Sequence, residues 1–534
     1  MDFPLLPIIT FTPMAAAIIL LLMPQEKKTE IRVTAAAATF ISMALSIYGY
    51  FAYDVQAAEA ATIWADKLQF VFGPFPWVEE LGISIYMGVD GLSIAMVALT
   101  GIVGFTGVLI SWGIDDRPRE FFVFMMLLAT GVFGVFVSLD LFQIFFAYEL
   151  AVFPMYVLIV IWGWKVTREY AAMKLTLYLL IGSVIALVGV LAIYFLPGDA
   201  ALESAGLCNA GVCYRTFDLV KLSEMAKAGV FSQPVQFLGK LVDFENLWFL
   251  PVFLGFAVLA GIWPLHSWSP DGHVAAPTAV SMFHAGVLMK LGAYTAMRIG
   301  IQLLPHGAQQ WLPWLVLLTT VNVVYGSLIA FVQKDFKYVI GFSSVSHMGL
   351  VSMAFATMTT VGFVGGGMQM FSHGVMTALF FAVVGIVYDR AHTRQIPELS
   401  GMVKALPWAT VAFIVGGLVS MGMPGFSGFA AELPIFMGLW QAGDSVAWYY
   451  RVIAVLSATG IVITAAYVFR IAQQVFFGKY EAEKWHDMRP STALDKVALV
   501  ILVSILILVG VYPQIMAPLI KSAITPLVNT LGGV

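Results

Sequence analysis

Along most of the chain, apolar residues run without a polar stripe for roughly 20 positions at a time, enough for a helix to cross a hydrocarbon core of about 30 Å. Fourteen such runs are read, near residues 4–23, 32–53, 86–112, 120–139, 141–163, 170–196, 247–268, 275–303, 311–332, 336–357, 361–388, 406–440, 450–477 and 494–516. They are continuous rather than alternating, which excludes a membrane β-barrel. The pattern predicts an all-α polytopic membrane protein of about 14 transmembrane helices. Two runs carry interruptions. The twelfth is too long for a plain helix and contains Gly422, Pro424, Gly425 and Gly428, and the seventh ends in Pro264-Leu265-His266-Ser267-Trp268-Ser269-Pro270. Both read as broken helices, tolerated in a membrane where the backbone is buried in protein or faces a wet cavity.

The two breaks lie five spans apart, and each is followed by one continuous span. Helices 4–8 (residues 120–304) and 9–13 (residues 305–480) therefore read as two five-helix repeats, between N-terminal helices 1–3 (residues 1–119) and a C-terminal helix 14 (residues 481–534). An odd number of helices per copy inverts the second copy relative to the first. Inverted repeats broken at matching places are a transporter pattern, with the working site at the repeat interface.

Connections after odd-numbered spans hold Lys27, Lys28 and Arg32; Arg117 and Arg119; Lys165 and Arg168; Lys334 and Lys337; Arg390, Arg394 and Lys404; and Lys479, Lys484, Arg489 and Lys496. Connections after even-numbered spans are nearly free of Lys and Arg, apart from the long 197–246 loop. The positive-inside bias makes the odd connections cytoplasmic and places both termini outside a bacterial cytoplasmic membrane. Cys208 and Cys213 then fall on the oxidising side, and the sequence leaves their pairing open.

Composition narrows the chemistry. The chain is 60% hydrophobic and 11% charged, against about 25% charged in soluble domains. A net charge of −4 gives no reason to expect a nucleic-acid partner; the expected surroundings are the lipid bilayer. The first apolar run lacks a basic leader and a small-residue cleavage site and reads as a retained helix. Two cysteines cannot supply a four-cysteine iron–sulfur site. The histidines come mostly one per helix, without paired metal-ligand spacing, and Gly365-Gly366-Gly367 opens no strand–turn–helix nucleotide loop.

Burying an ion in a bilayer costs at least about 2.5–3.5 kcal/mol, so intramembrane ionisable residues usually have a function. The candidates are Glu149, Lys174, Lys290, His347, His373 and Glu432, with His266 and His284 as lesser members. Glu149 has no cation one turn away; Lys174 is its nearest plausible partner, although Lys174 could instead snorkel to the cytoplasmic surface. Lys290 is too central to snorkel and reads as a group that loads and releases a proton. Ser343 and His347 share a helix face, as do Gln369, His373 and Thr377; these stripes fit a wet path, with interhelical hydrogen bonding as the alternative. Glu432 follows the glycine-rich break, where backbone groups and water could solvate it.

Several stretches carry a resemblance: Glu149-Leu-Ala-Val-Phe-Pro-Met-Tyr156, Pro264-Leu-His-Ser-Trp268 with Pro270-Asp-Gly-His273, Ala276-Pro-Thr278, Leu288-Met-Lys-Leu-Gly-Ala-Tyr294, Phe342-Ser-Ser-Val-Ser-His-Met-Gly349, Pro424-Gly-Phe-Ser-Gly-Phe429 and Glu432. Together with the two broken spans, they resemble the antiporter-like subunits of respiratory complex I (NADH:quinone oxidoreductase), in particular the chain M or mitochondrial chain 4 family, and of multisubunit sodium/proton antiporters. The resemblance covers essentially the whole chain and implies one proton pathway. In it Glu149 is similar to the fifth-span glutamate, Lys290 to the central lysine, His347 and His373 to the linking histidines, and Glu432 to the exit glutamate, while Lys174 and Lys337 match further basic positions. It also implies a chain without a redox centre, with FMN, iron–sulfur clusters and quinone in partner subunits and other complex I-type membrane subunits as neighbours. The family's seventh-span lysine falls on Leu259, so Glu149 lacks its usual partner; a diverged second copy of chain M would account for that. The chain ends soon after its fourteenth span, without a long lateral helix. An antiporter subunit uncoupled from redox, or a redox-inert scaffold, are the alternatives.

Overall fold

With no water in the hydrocarbon, a segment must satisfy its backbone groups internally, and an unbroken apolar run does so as a helix. The computed structural model describes residues 3–209, 212–486 and 488–532, and eleven of its helices are long and apolar enough to span a membrane. These are spans one to six (Leu5–Leu22, Lys28–Ala52, Gly91–Ile110, Pro118–Val137, Leu141–Trp162, Arg168–Phe195), nine to eleven (Pro305–Val332, Phe336–Ala356, Thr360–Ala391), thirteen (Tyr449–Ile471) and fourteen (Ala493–Val511). The other three are interrupted. The seventh divides into Phe244–Ala260 and Trp268–Ala275, and the twelfth into Pro407–Ser420 and Ser427–Ser445. The eighth runs from Thr278 to Ile301 but widens into π turns at His284–Leu288 and Ala296–Ile301.

Each break turns on a glycine in the left-handed region. In the seventh span Gly261 takes a left-handed conformation (φ 78°), and the backbone groups freed beyond it are bonded by Asn322 of the ninth span. Asn322 Oδ1 accepts from Trp263 N at 2.5 Å, and its Nδ2 donates to Gly261 O at 2.9 Å. In the twelfth span Gly422 (φ 61°) makes the turn, and a Cβ there would lie 2.8 Å from Glu432 Oε2. Spans three, four, ten and eleven are enclosed by protein, while one, two, six, thirteen and fourteen expose an apolar face.

The structure departs from the sequence reading at several edges. Ile83–Val89 does not open the third span. It pairs with Gln69–Val78 as an antiparallel hairpin, and Asp90 caps a helix that begins at Gly91. The ninth span starts at Pro305 and the twelfth continues to Ser445. Beyond the fourteenth span a further helix, Ala517–Thr530, packs on the third and eleventh spans, so close that a Cβ on Gly91 would fall 1.8 Å from Leu519 O. In the 197–246 segment Cys208 and Cys213 face each other across a short hairpin and form a disulfide.

Candidate functional site

Lys290 sits on the short α-helical stretch between the two π turns of the eighth span and is fully buried. Its Nζ lies 2.8 Å from Nδ1 of His373 on the eleventh span, and it also donates to the carbonyl of Ala285, inside the first π turn. The His373 ring is 5.4 Å, centroid to centroid, from that of His347 on the tenth span. Nδ1 of His347 in turn lies 3.3 Å from Glu432 Oε1 in the second half of the twelfth span. Four helices thus bring Lys290, His373, His347 and Glu432 into one buried row.

Two neutral side chains complete it. Gln369 Nε2 is 3.2 Å from His347 Nδ1 and 3.3 Å from Glu432 Oε1, and Ser420 Oγ meets His347 Nε2 at 3.1 Å. His347 Nδ1 therefore faces a donor and an acceptor together. Unprotonated, it can accept from Gln369; protonated, it can donate to Glu432. That is the arrangement of a group that passes a proton on. Among the described residues Glu432 Oε2 and His373 Nε2 have no hydrogen-bond partner, and buried polar atoms of this kind are places for water to bond.

A second cluster adjoins Lys290 through the second half of the seventh span, Trp268–Ala275. His273 Nε2 meets Ser269 Oγ at 3.1 Å, its ring lies 3.9 Å from that of His284, and Trp268 stacks on His284. The same half-helix carries Asp271, which pairs with Lys174 at 2.7 Å and accepts from Tyr338 at 3.0 Å. Lys337 Nζ donates to Ala276 O at 2.7 Å. His266, in the break itself, packs edge-on against Tyr325 and stands outside the row.

Glu149 and Lys174 do not pair. Glu149 is half-buried and faces Ser183 of the sixth span, between exposed Phe146 and Phe153. Ser183 is nine residues beyond Lys174, which at 1.5 Å per residue is about 13 Å along the helix. The lysine is too far down the span to reach the glutamate and takes Asp271 instead. Leu259, on the seventh span, is fully buried.

Sequence reasoning missed Asp271 as a partner, His273 as a site residue, and a buried ion pair between Arg298 of the eighth span and Asp90 at the start of the third. The signal for the pair was present, because Arg298 and Asp90 both fall inside the apolar runs 275–303 and 86–112. Asp271 and His273 lie beside the break, where an apolar-run census stops.

Comparison with known proteins finds relatives over nearly the whole chain. The model of the family described as NADH:quinone oxidoreductase/Mrp antiporter, TM, matches residues 138–464. NADH-quinone oxidoreductase subunit M of Rhodobacter capsulatus is 33% identical over 535 residues, covering 98% of this chain and 96% of that one. NAD(P)H-quinone oxidoreductase chain 4 2 of Thermosynechococcus vestitus is 32% identical over 520 residues, covering 96% and 90%. A chain of respiratory complex I from Thermus thermophilus superposes with a TM-score of 0.82 at 24% identity, over 99% of this chain and 100% of that one. A chain of the Mrp complex from a Dietzia species superposes with a TM-score of 0.78 at 18% identity, over the whole of both chains. At these identities the two solved structures speak for the fold.

Proposed function

We propose that this chain, which belongs to the NADH:quinone oxidoreductase/Mrp antiporter transmembrane family, is a membrane-arm subunit of a complex I-type enzyme and carries protons along the row Lys290–His373–His347–Glu432. The observation that carries the reading is the continuity of that row: 2.8 Å from Lys290 to His373, 5.4 Å between the two imidazoles, and 3.3 Å from His347 to Glu432.

A proton entering from the side of the basic loops meets Lys337 and the Lys174–Asp271 pair first, then His273 and His284, and loads Lys290. It passes to His373 as the N–H···N bond reverses, then to His347, and leaves from His347 Nδ1 to Glu432. The break at Gly422 places flexible, hydrogen-bonding backbone beside the Glu432 carboxylate, which suits release toward the opposite face. The basic connections put the entry side in the cytoplasm and the disulfide-bearing loop outside. Flavin, iron–sulfur clusters and quinone reside in partner subunits under this reading, and the force that moves the proton reaches this chain as a change in charge or conformation. Glu149, half-exposed and without an ion-pair partner among the described residues, is the residue through which a neighbouring membrane subunit is sensed.

In the assembled complex reconstituted in sealed vesicles, Lys290→Ala is expected to lower the number of protons moved per electron while quinone reduction continues. An unchanged ratio in an assembled Lys290→Ala complex would refute the assignment. Flavin and iron–sulfur absorption in the purified native complex separates this reading from a redox-free sodium/proton antiporter.

A further inference from the structure

Outside the row from Lys290 to Glu432 lies a buried ion pair that the proposed pathway does not use. Two turns along the eighth span from Lys290, about 12 Å along the helix axis, Arg298 bonds Asp90 with both side chains about 1% exposed. Asp90 divides its work between its two oxygens. Oδ1 caps the third span, accepting from Leu92 N at 3.1 Å and Ser93 N at 2.9 Å. Oδ2 takes Trp64 Nε1 at 2.8 Å and Arg298. A cap alone needs only the first set, so the guanidinium answers some other requirement.

Arg298 also reaches outward. Its Nη1 donates to Gln302 Oε1 at 3.2 Å, and Gln302 Nε2 donates to Ser223 Oγ at 3.1 Å. Ser223 lies on the helix Leu219–Lys227, within the segment that carries the Cys208–Cys213 disulfide. There two cavities meet. The inner one is small, about 10 Å³, and is lined by Arg298, Gln302, Ser223 and Trp64. The outer one is about 130 Å³ and shares Trp64, Ser223 and Lys227 with it. Glu224 and Lys227, both exposed, stand at its mouth. The outer volume accommodates several waters, and the inner about one. On the other side of the pair, Tyr294 lies between Arg298 and Lys290 on one helix face, with the guanidinium 5.4 Å over its ring.

We propose that the Asp90–Arg298 pair gates a second, hydrated route to Lys290, opening on the disulfide-bearing face. With the gate shut, Arg298 holds Asp90 and the waters stop at Gln302. When Arg298 releases Asp90 and keeps only its bond to Gln302, Asp90 Oδ2 is freed toward the protein interior. A proton then leaves the Lys290 ammonium, an N–H bond breaking, and forms an O–H bond on Asp90 by way of intervening water. Asp90 returns it to water in the outer cavity, and Arg298 keeps its charge throughout. This last step rests on the reading of Lys290 as a proton carrier; the access route and its gate do not.

The test uses the whole complex in sealed vesicles of known orientation. A cationic, membrane-impermeant methanethiosulfonate is added on the disulfide side, where the native cysteines are already bonded to each other. Gln302→Cys is expected to react, and Tyr294→Cys to react slowly. Adding Asp90→Asn, which keeps the cap because asparagine caps as well as aspartate, should speed the reaction at Tyr294→Cys by about tenfold. Arg298→Lys, which keeps the charge but cannot fork to two partners, should do the same and serves if Asp90→Asn does not assemble. Quinone reduction in the same vesicles reports assembly. An unreactive Gln302→Cys, or a Tyr294→Cys no faster with the gate substituted than without, would overturn the proposal. Normal pumping by Lys290→Ala would instead strike the proton-carrier reading and leave the gate standing.

Discussion

Lys290 Nζ and His373 Nδ1 lie 2.8 Å apart although 83 positions separate them in the chain. The remaining hydrogen bond of Lys290 is to the Ala285 carbonyl of its own helix, so its side-chain neighbour across the helix interface is an imidazole and not a carboxylate. A lysine salt-bridged to a carboxylate would be held charged. A lysine facing an imidazole competes with it for one proton, and the winner can change when the field around them changes.

His373→Phe keeps the ring and removes both nitrogens. It should lower the proton-to-electron ratio of the reconstituted complex. The double variant should be no worse than Lys290→Ala, because Lys290 stands ahead of His373 in the series. Proton uptake measured against quinone reduction in one preparation checks this; an additive loss would mean two separate paths.

Gly422→Ala places a methyl group 2.8 Å from Glu432 Oε2, closer than real Cβ contacts come. It also puts an L residue in the left-handed region, at about 1–2 kcal/mol. The carboxylate must shift, which disturbs the contacts of its Oε1 with His347 and Gln369. Pumping should fall severalfold in complexes that still assemble, and Gly422→Asn, which tolerates positive φ but is bulkier, should be no better.

Asn322→Leu removes the side chain that bonds Trp263 N and Gly261 O across the seventh-span break. Leaving a buried donor and acceptor unmet costs about 1–3 kcal/mol each. The variant should lower the thermal midpoint of the purified complex by several degrees or reduce its yield in membranes. A midpoint within one degree of wild type, a margin of about 1 kcal/mol for a chain of this length, would show that water largely replaces the amide.

Asp218, outside the spans, caps the helix Leu219–Lys227, and burial pushes its carboxyl above the usual range. A group whose folded value exceeds its unfolded one stabilises most at low pH and loses that contribution as pH rises through the folded value. Asp218→Asn retains the cap and removes the penalty, so it should raise the thermal midpoint at pH 8 by on the order of 1–2 °C. The gain should disappear on acidification. Thermal scans across pH 4–8 test the sign.

Hydropathy and charge census made the spans and the row legible because hydrocarbon penalises every unpaired backbone group and every ion. The breaks in spans seven and twelve were marked by Pro264 to Pro270 and Gly422 to Gly428. The hairpin Gln69–Val89 and the helix Ala517–Thr530 escaped because a short apolar stretch has no period that separates strand from helix. Pairing was not legible at all. The sequence reading offered Lys174 only Glu149, yet its ion pair is with Asp271, 97 positions away.

By itself, then, the sequence determined that the chain crosses a membrane many times, where its helices break, and which ionisable groups lie at membrane depth, since each is a one-dimensional consequence of transfer out of water. The tertiary structure alone decided which groups meet: that Lys290 reaches His373, that His347 stands between Gln369 and Glu432, that Glu149 looks outward, and that Arg298 finds Asp90. Those contacts depend on the rotation and depth of each helix against its neighbours, set by close packing at positions such as Gly91 and by the π turns of the eighth span, and a one-dimensional pattern of polarity does not encode them.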